Sequence, residues 1–222
     1  MADERLRALE REAARGDEPA RAALLVERVR LGRLPATRLA AAALLGEPAA
    51  RAALGSRAPE GSGDLARLVR SLCALEPGAR DRVLLAMAEL DLCATPVRGA
   101  IVFPALPAWR AEVAAAARAA LERPSEETRA RLAARLAAHR WPLREEAVHD
   151  DGSKRLRVWL EVVATCEALA RALASLGEDP RAPRAQGATE GAVRLVKACA
   201  RRVGEPAVRE ALGSLRAWAL EP

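Results

Sequence analysis

Apolar residues recur every three or four positions along most of the chain, the spacing of one face of an α-helix. Leu6, Leu9 and Ala13 share one side of a first segment that Asp3 can cap and Gly16 stops. A second segment covers about 18–31, with Leu25 and Val29 on one face and Gly32 beyond its end. Positions 37–45 predict a third helix, stopped by Gly46, and 47–54 a short fourth before Gly55. Asp64 caps a fifth, in which Leu65, Leu68, Val69 and Leu72 make a stripe running up to Pro77. Positions 78–91 repeat the pattern with Val83, Met87 and Leu90. Over 107–122, Trp109, Val113, Ala116 and Ala120 are spaced four, three and four. Ser125 then precedes Glu126 and Glu127, acids favoured by the positive end of a helix whose core face holds Leu132 and Leu136 and which ends at Trp141-Pro142. The longest stripe is Leu156, Trp159, Leu160, Val163, Cys166, Ala170 and Leu173, closing at Gly177. Two last helices are expected near 188–203 (Leu195, Cys199) and 206–219 (Val208, Leu212, Leu215, and Trp218 or Ala219).

Three stretches break the period. Positions 55–63 (Gly-Ser-Arg-Ala-Pro-Glu-Gly-Ser-Gly) and 177–187 read as flexible loops and as possible sub-boundaries of an otherwise single helical domain. The stretch 94–107 carries three prolines and the chain's one Phe, and predicts an irregular, partly packed connector. Asp150-Asp151-Gly152-Ser153 is a turn signal, and the alternation of Ala147 and His149 with Lys154, Leu156 and Val158 leaves a small hairpin within 143–160 as an alternative to the long helix. The pattern as a whole predicts an all-α fold of stacked antiparallel helical hairpins, either an irregular α-solenoid or a compact bundle.

Composition sharpens this. Alanine supplies about a quarter of the 222 residues, while the aromatics are four Trp and one Phe with no Tyr. A chain so poor in β-branched and aromatic residues is a poor sheet former. Alanine-rich helices approach closely but bury little apolar area each, so Leu and Trp must carry most of the core. No apolar run approaches the ~18 residues of a membrane span, and the charged opening Met1-Ala2-Asp3-Glu4-Arg5 does not read as a secretory signal. A cytoplasmic location follows as the expectation. The net charge of +6 makes nucleic acid a partner to consider, yet 36 basic residues are interleaved with 30 acidic ones and form no block. Only Lys154 and Lys197 among those basic residues are lysine, a skew that matches GC-rich coding as well as a purposeful arginine surface. Cys73, Cys93, Cys166 and Cys199 are far apart, with none of the short spacings that structural zinc prefers, and each falls at a helical apolar position. They are expected to be small core residues.

The most informative feature is self-similarity. The ten residues from Gly46 (Gly-Glu-Pro-Ala-Ala-Arg-Ala-Ala-Leu-Gly) return from Gly204 as Gly-Glu-Pro-Ala-Val-Arg-Glu-Ala-Leu-Gly, identical at eight positions. Looser copies begin at Glu18-Pro19, Glu76-Pro77 and Pro107, and Pro19, Pro48, Pro77 and Pro107 lie 29, 29 and 30 residues apart. Gly can end a helix in the left-handed conformation, and Pro suits a first helical turn where no N–H is needed. The acid before Pro lies near the positive helix end, and Arg three residues after Pro can reach that acid or a neighbouring helix. A period near 29 is the size of an αα-hairpin. With these connectors the chain resembles HEAT-type α-helical repeat proteins, particularly those of GC-rich bacteria, mainly over residues 1–122 and 204–222. The resemblance implies a binding scaffold and carries over no catalytic or ligand residue.

Chemistry is otherwise sparse. No phosphate-cradling glycine loop, zinc-protease helix or nucleophile elbow occurs. His139 continues a packed helix face, and His149-Asp150-Asp151 reads as a solvated turn more readily than as a metal site. The chain is therefore read as a non-enzyme without catalytic residues, cofactor or metal, acting as an adaptor or accessory subunit for another protein. Trp109, Trp141, Trp159 and Trp218 are the candidate interface anchors, each with a core position as its rival reading. The alternative is a DNA-binding helix-turn-helix over 38–55, contacting DNA through Arg38, Arg51 and Arg57. Its recognition helix is poor in the Asn, Gln, Ser and Lys that read base edges.

Overall fold

The computed structural model describes residues 2–76, 78–93, 106–123, 125–137 and 185–221. The alternative hairpin within 143–160, the long helix through 156–173, most of the 94–107 and 177–187 connectors, Pro77, His139, His149 and Cys166 lie outside the described residues. Every regular element among those described is helical, so the fold is all-α. None of these helices is long and apolar enough to cross a membrane. By backbone contacts the chain divides into two compact units, Met1–Ala79 with Arg209–Pro222, and Arg80–Val208.

The first unit opens with helices α1 (Ala2–Ala14) and α2 (Glu18–Arg30), which pack together as a hairpin. Asp3 lies inside α1, one residue past its start, so it does not hold the cap position expected of it. The connection is made by Gly16 at φ 88°: its N–H reaches the Ala13 carbonyl (3.1 Å) and Asp17 N–H reaches Glu12 (3.4 Å), the paired bonds of a Schellman turn. Asp17 then caps α2 by accepting from Ala20 N–H at 3.3 Å, with Pro19 in the first turn. The same turn recurs twice. Gly32 bonds Val29 and Arg33 bonds Arg28 at the end of α2, and Gly46 bonds Ala43 and Glu47 bonds Ala42 at the end of α3 (Ala36–Leu44). The latter launches α4 (Pro48–Leu54), with Pro48 at its first position. Here the expected left-handed stop is observed, and Gly46→Ala is predicted to destabilise by about 1–2 kcal/mol. Since nothing lies within 4 Å of an added Cβ at Gly46, that loss is pure backbone strain. The matched change Gly191→Ala, also in open space but within a helix, should stabilise by roughly 0.5–1 kcal/mol. Denaturant titration of both variants reads the opposite signs.

Beyond its first turn α3 is apolar all round: Leu39, Ala41, Ala42, Ala43 and Leu44 are buried, as befits the central helix of the unit. It packs on α4 and on α5 (Leu65–Leu75), and α2 packs on α4. Between α4 and α5, the expected loop begins with a 3₁₀ turn, Gly55–Arg57. Asp64 caps α5 as expected, accepting from Arg67 N–H at 2.7 Å, and the whole stripe Leu65, Leu68, Val69 and Leu72 is buried. Cys73, beside that stripe, is only half-buried. Leu25, Leu34, Leu39, Ala42, Ala43, Ala49 and Ala50 form one core cluster with Ala219 of the C-terminal helix.

In the second unit, α6 (Ala79–Cys93) buries a continuous run from Val83 to Ala88. Its neighbour in sequence, α7 (Leu106–Glu122), begins with Pro107 in its first turn and packs on α8 (Glu126–Ala137). Ser125 caps α8 reciprocally with Thr128: Thr128 N–H donates to Ser125 Oγ (3.1 Å) and Ser125 N–H to Thr128 Oγ1 (3.0 Å). α9 (Ala185–Val203) buries Ala192, Val193, Leu195, Val196 and Cys199, whose thiol faces the Met87 carbonyl at 3.9 Å. α10 (Glu205–Leu220) follows Gly204 at φ 93°, with Pro206 in its first turn, and its residues from Arg209 onward belong to the first unit.

Candidate interaction surface

The chemistry-bearing residues of the first unit gather where α3 meets the last turns of α10. Arg38, half-buried on the first turn of α3, donates through Nη1 to the Glu221 carbonyl (3.0 Å) and through Nη2 to the Trp218 carbonyl. Its guanidinium carbon lies 5.1 Å from the centroid of the Trp218 indole. The end of a helix leaves its last carbonyls short of intrahelical partners. An arginine from α3 bonds two carbonyls at the end of α10, that of Trp218 in addition to the Glu221 N–H it already accepts, while its charge faces the negative end of the dipole and the π cloud. Trp218 is half-buried, packing against the core cluster on one side. Nearby on α3, Thr37 Oγ1 donates to Glu76 Oε2 at 2.7 Å, fastening the same turn to the end of α5.

In the two near-identical copies of the signature the arginine bonds main-chain carbonyls, whereas Arg21 of a looser copy pairs with the carboxylates of Glu18 and Glu47. Arg51 Nε donates to the Ala43 carbonyl at 2.9 Å, reaching back to the helix that precedes its own. Arg209, in the same register of the C-terminal copy, donates to the carbonyls of Ser62 and Gly63. The acid of the signature lies at the helix start, as expected. Glu47 is the N-cap residue of α4 but makes no side-chain cap bond, and its buried carboxylate pairs with Arg21 of α2 at 3.5 Å. Beside Arg209 lies an open cleft of about 340 Å³, floored by Leu44, Leu45, Leu68 and Leu212 and edged by Gly46 and Gly63.

Of the four tryptophans, Trp109 is buried in the second unit, where its indole N–H donates to the Arg135 carbonyl at 3.1 Å and ties α7 to α8. Trp218 keeps part of its surface exposed, and Trp141 and Trp159 lie outside the described residues. Of the three arginines named for DNA, Arg38 and Arg51 bond main-chain carbonyls within the fold, and Arg57 is exposed on the 3₁₀ turn. Sequence reasoning misses Arg209 and its cleft as a site; the register that Arg209 shares with Arg51 is the one available signal.

Perturbed titrations mark ion pairs. Arg30 hydrogen-bonds both carboxylate oxygens of Glu27 (2.6 and 3.0 Å) and holds that carboxyl below its ordinary range, while Glu27 in turn raises Arg30. Arg118 is raised in the same way by the hydrogen bond it donates to Glu89. Both charged forms are stabilised by a partner, the signature of structural pairs rather than of an acid or base poised for proton transfer. Among the described residues no three His, Cys, Asp or Glu side chains converge as a metal would require. No protein-family model, curated protein or solved structure matches the chain.

Proposed function

We propose that this protein is a non-catalytic, HEAT-like helical-repeat module that binds another protein, as an adaptor or accessory subunit, through the surface around Trp218 and Arg38. The observation that carries the reading is the half-exposed indole held in one orientation by an arginine at a helix end. Trp and Arg are the residues that most often dominate protein interfaces, and a side chain already held in place loses less entropy on association. The recurrence at Gly16 and Gly46 of turns in which Gly and an acid precede Pro, each joining packed helices, supports the repeat reading. We place the protein in the cytoplasm, a compartment that keeps thiols such as those of Cys73 and Cys199 reduced. The DNA alternative draws less support, because the guanidinium groups of Arg38 and Arg51 are already engaged with carbonyls of the fold.

The test is co-purification of tagged protein from its native host, wild type against Trp218→Ala. A single partner enriched at defined stoichiometry should be retained at least about tenfold less by the variant, the scale of a hot-spot truncation. Dichroism should show both proteins equally helical. Enrichment of a small molecule in place of a protein, or equal retention by the variant, overturns the assignment.

A further inference from the structure

We infer that the end of α10 together with Glu221, residues 215–221, is a hinged strap that opens at Gly213-Ser214 and uncovers the apolar wall of α3 and α4 while the rest of the unit stays folded. Three observations place the joint. Gly213 sits mid-helix, where the missing side chain leaves the backbone its greatest freedom. Ser214 Oγ donates to the Ala211 carbonyl at 2.7 Å, and Arg216 Nε to the Gly213 carbonyl at 2.8 Å, so two side chains reach back to main-chain acceptors within one turn. Such back-bonding and Gly/Ser pairs are established sources of helix bending. The open cleft floored by Leu44, Leu45 and Leu68 reaches the same point, against Leu212 and Gly213.

Beyond the joint, the strap is a lid with a catch. Leu215 and Ala219 are buried, and Ala219, Trp218 and Leu220 lie against Leu25, Leu34, Leu39 and the alanines Ala42, Ala43, Ala49 and Ala50. The alanine wall lets the strap approach closely but gives it little area to grip. Its far end is held by Arg38, through the carbonyls of Trp218 and Glu221 and the face of the indole. Opening therefore requires release of one arginine, bending at one glycine and exposure of Leu215, Trp218, Ala219 and Leu220. Before the joint, Arg209 anchors the helix to Ser62 and Gly63, which keeps 209–212 in place while the strap moves.

Amide hydrogen exchange of the full-length protein, read by mass spectrometry, tests this. Amides of 217–221 should exchange at least about tenfold faster than those of 39–44, the ordering expected of a local opening. Arg38→Gln should speed 217–221 by a further factor of about ten, from loss of charge-assisted bonds, and leave 39–44 unchanged. Gly213→Ala, combined with Ser214→Ala, should slow 217–221 by about fivefold through the stiffer helix. The new Cβ at position 213 meets only the flexible end of Arg216, which can move aside. The inference is overturned if 217–221 and 39–44 exchange in step in the wild type, if Arg38→Gln accelerates both segments equally, or if the double substitution leaves 217–221 unchanged.

Discussion

Leu34→Ala is expected to lower the stability of the first unit by about 4 kcal/mol, in the upper part of the range for deleting a buried leucine. Leu34 sits in the turn between α2 and α3, where chain connections are usually exposed, yet only 1% of its surface is accessible. Its N–H donates to the Arg28 carbonyl (3.2 Å), and Pro35 follows as the N-cap residue of α3, so backbone on both sides is fixed. The side chain is thereby aimed into the cluster of Leu25, Leu39, Ala42, Ala43, Ala49 and Ala50. What makes the loss large is the company. A cavity closes when neighbouring side chains swing into it, and alanine has no rotamer with which to do so; among the buried members of the cluster only Leu25 and Leu39 can move. The matched control is Val26→Ala on α2, exposed at 46%, which should change stability by less than about 0.5 kcal/mol. Guanidinium unfolding followed by dichroism measures both. Equal, small effects would mean that the turn leucine is not part of the unit's interior.

The contrast between Leu34 and Arg38 shows which features of this fold are written locally. Helix starts and stops are: Asp64 and Ser125 cap α5 and α8, Gly16, Gly32 and Gly46 end α1 to α3 with positive φ, and Pro19, Pro48, Pro107 and Pro206 each occupy a first helical turn. Each of these rests on bonds between residues no more than about five apart, so composition and spacing suffice to read them. The apolar stripe of α5 and the face Trp109, Val113, Ala116 and Ala120 are equally legible and are buried. Asp3 is not the cap because α1 begins one residue before it. The site residues are another matter. Arg38 reads as a candidate for DNA because nothing near it in sequence neutralises it; its partners, Trp218 and Glu221, lie 180 and 183 residues away. Glu47 is the acid of a helix start, as its place before Pro48 implies, but its partner Arg21 belongs to another helix and is not legible locally. Patterning specifies where each rod begins and which face is apolar, whereas pairings between rods depend on a stacking that one sequence does not spell out.

The alanines carry that stacking, and Ala50→Leu is accordingly expected to destabilise the first unit by about 3 kcal/mol although it adds apolar surface to bury. Ala42, Ala43, Ala49 and Ala50 are all at 0% exposure, on two short helices joined by the tight Gly46 turn. α4 is only seven residues long and is pressed between α2 and α3, so it cannot shift without breaking Arg51 from the Ala43 carbonyl and Glu47 from Arg21. An added isobutyl group must then take a strained rotamer or part the helices, and close-packed interiors resist both. Two comparisons can be made within the same helix. Ala52 is exposed, and Ala52→Leu replaces one strong helix former with another at the surface, a change of less than about 0.5 kcal/mol. Ala50→Gly removes only a methyl group but weakens the helix, so it should cost about 1–2 kcal/mol. The order Ala50→Leu worst, Ala50→Gly intermediate and Ala52→Leu neutral separates a seam built for contact between backbones from a loosely filled alanine-rich interior. In the loosely filled case the added leucine would find room, and Ala50→Leu would raise the denaturation midpoint.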